Sequence, residues 1–68
     1  MITNTEINLK GENYIFTIDY SLRELRIVNI KNQEIKFIPL SNDDLDGLEY
    51  LKANDEDTFK ECLQDYDY

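Results

Sequence analysis

The chain predicts an α+β domain, an antiparallel β-meander of three to four strands followed by two short C-terminal α-helices. Three observations carry that expectation. Apolar and polar residues alternate through much of residues 5–38, Pro39 closes the alternation, and apolar residues then recur every third or fourth position. A period of two belongs to half-buried strands and a period near 3.6 to amphipathic helices.

The elements follow in order. In "NTEINLK", Thr5, Ile7 and Leu9 alternate with Glu6, Asn8 and Lys10. "KGEN" supplies a glycine-containing turn. "YIFTIDY" sets Tyr14, Phe16, Ile18 and Tyr20 on one face, and its aromatic and β-branched residues favour a strand. "ELRIVNI" and "EIKFI" read the same way on either side of the polar "KNQ". Short connections make neighbouring strands antiparallel. Residues 25–30 are apolar on both faces, which predicts an interior strand or a second face partly covered. Pro39 cannot donate a ladder hydrogen bond and ends the sheet.

Ser41 then fits a helix N-cap, with Asp44 in the capping-box position and Leu40 and Leu45 placed as a hydrophobic staple. Leu45, Leu48 and Leu51 form the inward stripe of the first helix, and Gly47 weakens it by about 1 kcal/mol relative to Ala. Asn54 or Asp55 is the expected second cap. Phe59, Cys62, Leu63 and Tyr66 share one face of the second helix.

Sixty-eight residues predict a single domain over 1–68. A chain of this size buries only about 60% of its unfolded surface. Its 41% hydrophobic residues are patterned, so a small folded core is expected rather than disorder. There is no His, which removes the usual general base and metal ligand. The lone Cys62 allows no internal disulfide and no cysteine cluster for zinc, and reads as a small core residue. No Gly-rich phosphate loop is present. No catalytic activity, cofactor or metal is therefore expected. "NDDLDG", residues 42–47, partly matches the start of an EF-hand loop, but position 12 falls on Ala53, where a bidentate Glu belongs. "MITNTEINLK" has neither the basic start nor the apolar run of a secretory signal, and no stretch approaches a membrane span. An intracellular, reducing compartment is expected.

Charge divides the chain. Residues 1–40, the sheet half, hold five basic and five acidic residues and are net neutral. Residues 41–68, the helical half, hold Lys52 and Lys60 against ten acids, so the whole net charge of −8 lies there. Such asymmetry points to a charged partner. Acids in the first turn of a helix complement its dipole, and an acidic face ordinarily serves solubility. That does not account for Asp57, Glu61 and Asp65, successive i, i+4 neighbours opposite the apolar stripe, whose like charges oppose the helix. Nor does it account for Asp65 and Asp67 near the C-terminal end, where the dipole disfavours anions. Asp43, Asp46, Glu49 and Tyr50 share the outward face of the first helix. A cationic partner would remove the repulsion.

The expected function is thus stoichiometric inhibition by imitation of nucleic acid. Rows of carboxylates on rigid helices occupy lysine and arginine sites that normally hold phosphates. Tyr50, Phe59, Tyr66 and Tyr68 are candidate aromatic anchors, with core packing the competing role for Phe59 and Tyr66. The expected partner is a basic nucleic-acid-binding protein such as a nuclease. Direct binding of DNA or RNA is not expected, because the acidic half repels phosphate. An immunity or antitoxin protein that plugs a basic nuclease toxin is the alternative, and a small acidic accessory protein without mimicry is the plainest one. The expected assembly is a monomer or small homo-oligomer.

A short β-meander followed by acidic helices, with "NDEDTFKECLQDYDY" mixing acids and aromatics, resembles small phage-encoded anti-CRISPR proteins. The resemblance lies in size, element order and the acidic C-terminal region. It implies blockade of the protospacer-adjacent-motif site of a type II effector nuclease, whose arginines otherwise pair with guanine edges. It implies Asp55, Glu56, Asp57, Glu61 and Asp65 as contact residues, with Asp43, Asp46 and Glu49 secondary. It also implies the cytoplasm of a bacterial host cell.

Overall fold

The structure, a computed structural model, describes residues 2–66. Four strands, β1 (Ile2–Leu9), β2 (Glu12–Asp19), β3 (Glu24–Asn29) and β4 (Ile35–Pro39), precede two helices, α1 (Asn42–Asn54) and α2 (Glu56–Asp65). The strands form one antiparallel sheet in the order β1-β2-β3-β4, so the meander has four strands and β3 is interior. Among the described residues no helix is long and apolar enough to cross a membrane.

Register decides which side chains meet. Thr5, Phe16 and Ile27 stand opposite one another across three strands, and Ile18, Leu25 and Ile38 form the next row. These rows lie on the inner face, where both helices pack. Phe16, Ile18 and Leu25 from the sheet join Leu45 and Leu48 from α1 and Phe59 and Leu63 from α2 in one core. Phe16, Ile18, Leu25, Phe59 and Leu63 are fully buried. Burying each such side chain contributes about 1.5–3 kcal/mol. Leu51, Cys62 and Tyr66 pack partly against this core, as their helical phase predicts.

The three turns use two devices. Lys10 and Gly11 both have positive φ, 53° and 84°, between the paired Leu9 and Glu12. That is the two-residue type I′ geometry, whose twist matches the strands it joins. After β2, the buried Asp19 accepts hydrogen bonds from the Ser21 and Leu22 N–H groups, both at 3.1 Å. Its other oxygen accepts from Arg26 at 3.0 Å. After β3, the buried Asn29 accepts from the Lys31 N–H at 3.0 Å. Short Asx side chains close turns in this way because they offer the backbone an acceptor two residues on.

Ser41 caps α1, its Oγ accepting from the Asp44 N–H at 3.1 Å, and Leu40 and Leu45 on either side are both buried. Residues 42–47 are the first turns of this helix, so they do not form the ligand loop that the EF-hand match requires.

Candidate functional site

Asp55 alone joins the two helices. It is the C-cap of α1, its N–H donating to the Leu51 carbonyl at 2.7 Å, and the N-cap of α2. Its carboxylate accepts from the Thr58 N–H at 3.2 Å and the Thr58 hydroxyl at 2.7 Å. Those two bonds hold its pKa below the ordinary 3.8, the hydroxyl bond contributing most. The chain reverses here. Lys52 lies over the Phe59 ring, 5.3 Å from its centroid, and burial raises the pKa of Tyr66 at the end of α2, with Asp44 at the start of α1 a lesser cause.

Because both helices turn their apolar stripes into the same core, their opposite faces point to solvent together. Asp43, Asp46, Glu49 and Tyr50 are exposed on α1, and Asp55, Glu56, Asp57, Glu61 and Asp65 are exposed on α2 and its cap. Asp67 and Tyr68 lie outside the described residues. Asp57, Glu61 and Asp65 follow one another along α2 with a rise of about 6 Å per step. They stand opposite Phe59 and Leu63, the two fully buried residues that fix the helix's rotation.

Counter-charges within this half are few and occupied. Lys60 reaches Glu56 at 3.9 Å, and Lys52 sits over Phe59. Asp57, Glu61 and Asp65 make no ion pair among the described residues. The residues singled out from sequence therefore divide. Glu56 is paired, Asp55 is engaged in capping, and the remaining described acids are open. Tyr50, two-thirds exposed, is an aromatic side chain standing among them. Phe59 is core and offers nothing to a partner.

Sequence reasoning missed Glu12. The β1–β2 hairpin approaches the end of α2 and leaves an open groove of about 730 Å³, lined by Leu9, Lys10, Glu12, Tyr14, Glu61, Gln64 and Asp65. Glu12, which accepts a hydrogen bond from the Tyr14 hydroxyl at 3.0 Å, shares this groove with Glu61 and Asp65 and with the basic Lys10. Only the tertiary fold brings it there, so no local pattern pointed to it. The arrangement suits electrostatic recognition of cations. No protein-family model matches the chain, and no curated protein and no solved structure matches it.

Proposed function

We propose that the protein is a stoichiometric inhibitor that imitates nucleic acid and blocks the cationic site of a nucleic-acid-binding protein. The resemblance to anti-CRISPR proteins makes a type II CRISPR effector nuclease the first partner to test. The observation that carries the reading is the row Asp57, Glu61 and Asp65, which is exposed and regularly spaced, has no ion pair among the described residues, and stands on a helix whose rotation the core fixes. A solvated surface does not require like charges at the i, i+4 spacing that destabilises a helix. A surface that meets lysines and arginines gains from it, because complementary fields speed encounter and fix orientation. The expected mode of action is fast, salt-sensitive binding without turnover.

The test is a competition. Duplex DNA bearing the adjacent motif is bound to the guide-loaded effector, and the protein is titrated in at several salt concentrations. Displacement at equimolar protein that weakens with salt is the expected result. Joint reversal of Asp57, Glu61 and Asp65 to Lys is expected to abolish it while circular dichroism stays that of the folded protein. Displacement that survives the reversal excludes this surface. Should the effector not bind, affinity capture from a bacterial lysate with a salt gradient tests the wider class. If no nucleic-acid-binding protein is eluted by salt, the mimicry reading fails.

A further inference from the structure

Among the described residues the sheet has an apolar open edge at β4, which pairs there with β3 alone, and Ile35 and Phe37 on it are 52% and 61% exposed. The ladder shows which way its backbone points. The Asn29 N–H donates to the Glu34 carbonyl and the Leu40 N–H to the Arg23 carbonyl, so the even-numbered residues between them face β3. In an antiparallel ladder this direction alternates, which leaves Ile35, Phe37 and Pro39 facing outward. Pro39 has no N–H, so the open edge offers the donors of Ile35 and Phe37 and the carbonyls of all three. Unpaired edges of this kind are templates for another strand.

We infer that β4 pairs antiparallel with β4 of a second copy of the chain, about a two-fold axis at Phe37. Three two-fold registers are open to the strand, and its own residues separate them. An axis at Lys36 sets two ammonium groups directly opposite each other, which is destabilising. An axis at Ile38 places Pro39 against Phe37, and the missing N–H halves the number of hydrogen bonds. An axis at Phe37 keeps all four bonds. Phe37 exchanges two with its symmetry mate, and each Ile35 N–H donates to the other copy's Pro39 carbonyl, where no proline donor is needed. Lys36 then neighbours Ile38 of the other copy, and the two Phe37 rings form a cross-strand aromatic pair on the outer face. Beside them, Val28 and Ile35 are paired and Ile15 stands next in the row, giving the strip apolar continuity.

Area and charge set the strength. Two five-residue strands with their side chains bury on the order of 800 Å² in total, at the small end of interfaces, so the association is weak and concentration-dependent. Residues 35–39 carry Lys36 and no acid, so the opposing force is repulsion between the acidic helical halves, which salt screens. Salt is therefore expected to strengthen the dimer, the reverse of its effect on a cationic partner. A two-fold axis normal to the sheet keeps all four helices on one side of a continuous eight-stranded sheet.

Sedimentation equilibrium of the full chain over the micromolar-to-millimolar range, at low and high salt, tests this. A monomer–dimer equilibrium shifted toward dimer by salt is expected. Phe37→Lys is expected to raise the dissociation constant by about tenfold or more. Leu22→Lys, which removes an equally exposed apolar side chain from the β2–β3 turn, is expected to leave it unchanged. Hydrogen exchange on the unsubstituted protein is expected to show the Ile35 and Phe37 amides gaining protection as concentration rises. A monomer at every concentration and salt overturns the inference. So does a dimer indifferent to Phe37→Lys, one equally weakened by Leu22→Lys, or one that leaves the Ile35 and Phe37 amides unprotected.

Discussion

Asp19 in the sheet half and Asp57 in the helical half carry the same carboxylate into opposite surroundings. Asp19 is buried, accepts three hydrogen bonds and lies 3.0 Å from the Arg26 guanidinium. Asp57 is exposed and has no ion pair among the described residues. Arg26 also lies 3.6 Å from Glu24, so cation and acids are matched locally on the outer sheet face. The difference teaches that the buried Asp19 serves its own turn and its Arg26 neighbour, whereas Asp57, Glu61 and Asp65 stand in solvent without an ion pair among the described residues.

The largest expected effect tests the first side of that contrast. Asp19→Ala removes three bonds and leaves a half-buried guanidinium and two turn N–H groups without their acceptor. A loss of about 2–3 kcal/mol is expected in urea denaturation. A change near zero would place Asp19 with the solvated acids. Gly47→Ala comes next and tests whether the helical half stands below its attainable stability. Gly47 sits in α1 with open space around an added Cβ, so a gain of about 1 kcal/mol is expected from the same measurement.

A smaller effect tests the repulsion itself. Glu61→Gln breaks both like-charge pairs of the row at constant size, and a gain of roughly 0.4–1 kcal/mol is expected, with weaker binding of the proposed cationic partner. Lower stability would show that the row is not self-repulsive. The smallest effect concerns acid. The Asp55 pKa is depressed in the folded chain, so its contribution is present above the ordinary 3.8 and is lost as pH falls through the folded value. The stability difference between the unsubstituted chain and Asp55→Asn is therefore expected to shrink on acidification. A difference that is constant with pH would mean that Thr58 does not hold the carboxylate in solution.

Local signals made much of this legible. Ser41 as a cap, a second cap at Asn54 or Asp55, Pro39 as the end of the sheet and the stripes through Leu48 and Leu63 each depend on neighbours within one or two turns, and the structure puts the second cap on Asp55. Exposure of Asp57, Glu61 and Asp65 followed from helical period alone. The roles of Asp19 and Asn29 were not legible, because an Asx residue at a strand end looks like any polar surface residue until pairing buries it. The left-handed backbone at Arg23 and Gln33 was hidden for a related reason, since neither residue type favours it and the surrounding turn imposes it. Glu12 and the edge at Phe37 depend on which elements meet, information that a single sequence spreads over long separations.

The junction at Asp55 has a consequence for how this molecule tolerates change in length. One non-helical residue makes the whole connection and caps both helices, so an insertion there would split the two capping roles between two residues. The Asp55 N–H bond to Leu51 and the Asp55 carboxylate bonds to Thr58 would then no longer rest on one residue. Length variation is therefore poorly accommodated at this joint.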